Sequence, residues 1–222
     1  DRTRHDGIIA INLKNGDELI DVRRVKPGFK VILVSTDGKA IVFEEDQIRA
    51  MGRDTSGVRG ITLKGTAKVL GMEISNGQGD LFVITEKGYG KRTPIADYPV
   101  HNRGGQGVFT IQMTARKGEL AGMKVVGPQH ELVIVSEEGI LIRVKVSDIS
   151  KLGRSTQGVK VMNVSESDRV TAVARMIAKK ATAKKVDENQ TSFDLLAAGE
   201  KSTSEEAPID IGEEEQIAPD LD

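Results

Sequence analysis

The segments GRDTSGVRGITL (52–63), NRGGQGVFTIQM (102–113) and GRSTQGVKVMNV (153–164) are three copies of one pattern. In each, an arginine stands four residues before a glycine that is followed by a valine and a strand-like run: Arg53 and Gly57, Arg103 and Gly107, Arg154 and Gly158. The glycines recur every 50 or 51 residues, and a partial fourth copy surrounds Gly7, with Ile8, Ile11 and Leu13 at the matching offsets. A period of this length built from short strands predicts a propeller-like array in which each repeat is one small sheet packed on its neighbours.

Working outward from the loop, each repeat begins with a short apolar run, Val31 to Val34, Leu81 to Ile84 and Leu132 to Val135. Runs this short, bounded by turn residues, read as buried strands. Each ends at a turn carrying Gly38, Gly88 or Gly139, where glycine accepts the positive φ that tight hairpins demand. A second strand follows, then a short helical turn with an apolar residue expected in the core (Ile48, Tyr98, Ile149). After the arginine-to-glycine loop come a third strand (58–63, 108–113, 159–164) and a fourth (68–74, 120–126, 169–176). The expected fold is all-β, with about three complete four-stranded blades, at 27–76, 77–127 and 128–176, and the end of a preceding blade over 1–26. Either the chain is part of a larger wheel or it forms an open arc; its opening in mid-repeat favours the wheel.

Composition narrows the function. Of 222 residues, 38% are hydrophobic, enough for a real core, and the repeats argue for a single domain. The absence of cysteine excludes disulfides and thiolate metal sites, and His5, His101 and His130 are too scattered for a transition metal. No cofactor is expected, and with no signal peptide or long apolar run the expected location is cytoplasmic.

The net charge of −1 hides a division along the chain. Residues 1–185 hold 31 Lys and Arg against 21 Asp and Glu, an excess of +10, whereas residues 186–222 hold 1 against 12, an excess of −11. A basic body of blades (1–176) is thus followed by a linker and acidic tail (177–222), whose composition predicts disorder. The tail reads either as a polyanion competing for the basic body or as a solubilising appendage.

The stretches GYGKRTPIADYPVHNRGGQGV (88–108) and IRAMGRDTSGVRGI (48–61), together with the three repeats in register, the basic body and the acidic tail, resemble the C-terminal domain of the bacterial DNA gyrase A protein over about residues 1–175. The resemblance implies a β-pinwheel, a disc whose blades exchange a strand with a neighbour and whose basic rim wraps DNA. It also implies a parent type IIA topoisomerase that supercoils DNA negatively at the expense of ATP, with the gyrase B protein as partner in a heterotetramer. The family's Gln-Arg-Arg-Gly-Gly-Arg-Gly box is matched only by a degenerate copy: His101, Asn102, Arg103, Gly104, Gly105, Gln106 and Gly107. On this resemblance, that departure implies that the true box and the first blades are to be expected upstream of Asp1. The family's catalytic tyrosine lies in another domain, so this chain is expected to be non-catalytic.

DNA binding of this kind is mainly electrostatic, because Lys and Arg neutralise phosphates while base edges go unread. The candidate contacts are Arg49, Arg53, Arg59, Lys91, Arg92, Arg103, Arg143, Lys145, Lys151, Arg154 and Lys160, with the three repeat arginines foremost because their glycine-rich loops let backbone approach a phosphate. Arg103 is expected to be solvated. The 88–93 stretch lacks the spacing of a nucleotide-binding loop, and the tail lacks that of a calcium loop. The C-terminal domain of topoisomerase IV, a close relative, and a protein-interaction propeller with an acidic partner are the alternatives.

Overall fold

The glycine turns close three hairpins. In the computed structural model, which describes residues 7–177, β1 (Lys30–Ser35) returns as β2 (Lys39–Glu44), β4 (Asp80–Thr85) as β5 (Tyr89–Pro94) and β8 (His130–Ser136) as β9 (Leu141–Lys145). Gly38, Gly88 and Gly139 sit in these turns at φ of 85°, 77° and 86°. To each hairpin a longer strand adds antiparallel on the side of the first strand: β3 (Val69–Ser75), β7 (Leu120–Val126) and β11 (Val170–Ile177). These three pack side by side, so they are the inner strands of successive blades. The expected helical turns are single 3-10 turns at Glu45–Gln47, Ile95–Asp97 and Val146–Asp148.

The remaining strands cross between repeats. β6 (Val108–Phe109) belongs to the second repeat but pairs with β2 of the first, and β10 (Val159–Lys160) of the third repeat pairs with β5 of the second. The sheet orders are therefore β3-β1-β2-β6, β10-β5-β4-β7 and β11-β8-β9. The third strands are shorter than the sequence pattern suggests, two residues in place of six, and residues 58–63 form none. The physical reason is the exchange itself: such a strand needs the hairpin of the preceding blade, and residues 7–28 supply no strand. After Phe109 the chain turns in, with the Thr110 and Ile111 amides donating to the Gly38 carbonyl.

Stacking of blades explains why the strands read as continuous apolar runs, since both faces are covered. Alternate residues of β4 enter different cores. Leu81 and Val83 pack with Ile32, Val34, Ala40 and Val42 of the first blade, while Phe82 and Ile84 pack with Leu132 and Ile134 of the third. Tyr98 and Ile149 each close such a junction and are 4% and 3% exposed. Ile48, expected in the core by the same offset, is 42% exposed. Its position faces the side on which a preceding blade would stack, and the described residues put no sheet there.

Candidate nucleic-acid interface

The arginine-to-glycine loops sit where the crossing strands leave one blade for another. The 101–107 loop is anchored on the first blade along its length. The His101 amide donates to the Val42 carbonyl at 2.8 Å, the Gly104 amide to Gly60 at 2.6 Å, and Thr62 reaches back through its amide to Gly105 and its hydroxyl to Gly104. Arg103 is not solvated as expected. It is half-buried, its Nε donating to the Gln47 carbonyl at 3.0 Å and its Nη1 to the Arg59 carbonyl at 3.1 Å, while its amide donates to Gln47 Oε1. A guanidinium with a fork of donors is suited to collecting backbone carbonyls in this way. Part of its donor capacity is spent on holding the loop.

The 88–93 stretch serves a different purpose from any phosphate loop. Three consecutive side chains of β5 bind the loop of the third repeat. Lys91 Nζ donates to the carbonyls of Gly153 (2.5 Å) and Arg154 (2.8 Å) and to Thr156 Oγ1 (3.0 Å), Arg92 Nε to Ile149 (2.8 Å), and Thr93 Oγ1 to Leu152 (2.7 Å). Lys91 is fully buried, which removes it from the candidate DNA contacts. An ammonium can lie there only because three oxygens replace its water shell. Burial first, and then the Arg154 guanidinium, hold its pKa down at about 8. Arg92 is also committed internally, to Asp80 at 2.7 Å, and the same carboxylate takes Lys151 at 3.2 Å.

Among the other candidates, Arg143 pairs with Glu131 across the β8–β9 hairpin. Arg49, Arg53, Arg59, Lys145 and Lys160 are exposed and make no ion pair among the described residues, and Arg154 is half-buried with its guanidinium carbon 5.9 Å from the Tyr98 ring centroid. The repeat arginines thus share a sequence offset but not an environment. Two further cations stand at the blade edges, Lys39 and Lys117. Lys39 begins β2 directly after its turn and pairs with Asp37 at 3.9 Å, whereas Lys117 is buried and donates to the carbonyl and Oε1 of Gln157. Their sequence signal is weak, because only the strand crossing brings them beside β6 and β10. No group of three His, Asp or Glu that could hold a metal occurs among the described residues, and no helix there is long and apolar enough to cross a membrane.

The chain is similar to known proteins in both sequence and fold. The family described as the DNA gyrase C-terminal domain, beta-propeller, matches residues 4–26, 30–76, 79–127 and 130–175, one match per repeat. The DNA gyrase A protein of Klebsiella oxytoca is 40% identical over 219 residues, covering 97% of this chain and 24% of its own length. Its counterpart in Salmonella typhimurium is 42% identical over 175 residues, covering 79% and 20%. The chain thus spans about a quarter or less of the curated relatives it matches. Among solved structures, a DNA gyrase A C-terminal domain superposes with a TM-score of 0.71 at 25% identity, covering 78% of this chain and 59% of that one. A DNA topoisomerase IV C-terminal domain gives 0.72 at 25% identity, covering 76% and 53%. With all three blades and the partial first repeat matched in register, the chain belongs to the DNA gyrase C-terminal domain, beta-propeller, family.

Proposed function

We propose that the basic body, residues 1–185, binds duplex DNA along the outer edge of its blades without marked sequence preference and serves as the DNA-wrapping part of a gyrase A protein. In that parent, DNA captured here would be fed to a breakage and reunion centre on another domain, in partnership with the gyrase B protein, and the result would be ATP-dependent negative supercoiling. The observation that carries the reading is family membership joined to a +10 body whose Arg49, Arg53, Arg59, Lys145 and Lys160 remain exposed. Cations held on short loops and edge strands suit phosphate contact, which fixes position on a duplex and reads no sequence. Release of condensed counterions then supplies most of the affinity.

Titration of labelled random-sequence duplexes with the full chain tests this. If about four to six phosphates are neutralised, log K falls against log salt with a slope of about −4 to −5. A flat salt response rejects the electrostatic reading, and equal binding of duplexes regardless of length favours a rim that recognises an acidic protein.

A further inference from the structure

The strand exchange creates one pairing twice, with its partners reversed. In the first blade, β6 sets Phe109 directly across from Lys39, whose Nζ lies 5.6 Å from the ring centroid. In the second blade, β10 sets Lys160 directly across from Tyr89, with Nζ 4.8 Å from that centroid. Positions 39 and 89 are repeat equivalents, as are 109 and 160, so cation and aromatic have changed strands while the pair is kept. Lys117 adds a second ammonium 4.6 Å from the Tyr89 ring. In the third blade the equivalent position is Ile140, and no crossing strand faces it among the described residues.

Each pair spans the outermost strand, β6 or β10, and the strand next to it, β2 or β5, on the side of the sheet opposite the inner β3 and β7. Phe109 is 58% exposed there, whereas Phe43 and Phe82 are buried in the core. Aromatics make up only 3% of the chain, and Phe109, on a two-residue edge strand, is the only one among the described residues that is exposed. A lysine beside such a ring gains modest cation–π attraction when exposed. Against a nucleic acid the same pair gains more: the ammonium meets a phosphate, and the ring covers the apolar face of the adjoining deoxyribose or wedges into the minor groove of a bent duplex.

We infer that the Lys39–Phe109 and Tyr89–Lys160 pairs are duplex-DNA contact units, in which the ring supplies a non-electrostatic contact beside the lysine's phosphate contact. This rests on the DNA-binding reading above. It adds a term that counterion release does not contain, and that term survives at high salt.

The test uses the full chain, its Phe109→Ala, Phe109→Leu and Lys160→Met variants, and one labelled random-sequence duplex titrated across a range of salt concentrations. Phe109→Ala is expected to weaken binding about three- to tenfold at every salt concentration, leaving the slope of log K against log salt unchanged. Phe109→Leu, which retains apolar surface, keeps most of the affinity. Lys160→Met instead makes the slope shallower by about one unit. Circular dichroism and the melting temperature of Phe109→Ala should match the parent, since the ring is not in the core. Binding by Phe109→Ala equal to the parent overturns the inference, as does a loss that appears only as a shallower slope, which would mean the ring merely orients Lys39. Failure of the unsubstituted chain to bind duplex at all rejects the underlying DNA reading and the contact unit with it.

Discussion

At the scale of the residue, one glycine offset has two environments. Gly57 and Gly107 both adopt positive φ, 76° and 69°. A Cβ at Gly107 would stand 2.5 Å from the Ala40 carbonyl oxygen, against the strand that β6 must join, whereas at Gly57 the nearest atom is Ile11 Cδ1 at 3.8 Å. Gly57→Val therefore incurs backbone strain alone, about 1–3 kcal/mol. Gly107→Val incurs the same strain and also pushes β6 from the first blade, so its loss is expected to be larger and to bring a drop in β-sheet signal. Denaturant unfolding of the two variants side by side checks this, and equal losses would show that strain is the whole effect. Arg103 belongs to the same lesson, because its guanidinium holds the Gln47 and Arg59 carbonyls and its removal would loosen this junction as well as remove a charge.

At the scale of the element, β5 is the fastener between the second and third blades. Its position 91 is a lysine where the first and third blades have Ile41 and Ile142. Lys91→Ile would leave the Gly153 and Arg154 carbonyls without their donor and is expected to lower stability by about 1–3 kcal/mol near pH 7. The pH dependence gives a sharper check. The folded pKa of about 8 lies below the ordinary lysine value of 10.5, so between these pH values the unfolded chain binds more protons at Lys91 than the folded one. Raising pH through that window therefore stabilises the parent relative to Lys91→Ile, and below pH 8 the difference is constant. Melting temperatures of both proteins from pH 7 to 10.5 measure it; a difference that stays level throughout would give Lys91 its ordinary pKa in the fold.

At the scale of the whole molecule, charge is segregated: +10 over residues 1–185 and −11 over residues 186–222. The tail lies outside the described residues, and the expectation for it rests on composition alone. On the proposed DNA-binding reading, a polyanion tethered to the blades would be held at high effective concentration near their cations and would compete with DNA for them. Truncation after Lys185 is expected to tighten duplex binding at low salt, with a gain that shrinks as the Debye length falls to about 8 Å near physiological ionic strength. Parallel titrations of the full and truncated chains at two salt concentrations decide the matter. Equal affinities at low salt would leave the tail a solubilising appendage.

The sequence by itself determined the repeat, the hairpins and the blade architecture, because a 50- or 51-residue period, short apolar runs and turn glycines are local features that any strand must satisfy. It also carried the family, through loops whose spacing is preserved from one repeat to the next. Which charges remain available to a partner was decided only by the tertiary structure. Lys91, Arg92 and Arg103 stand in basic, glycine-rich stretches indistinguishable in pattern from that of Arg53 and Arg59. What separates them is whether a neighbouring blade brings carbonyls within reach, and strand exchange sets that between residues some 40 to 60 positions apart. The same exchange set Phe109 beside Lys39 and Lys160 beside Tyr89. A period reports what each repeat shares, whereas a side chain's partners depend on which repeat lies next to it in space.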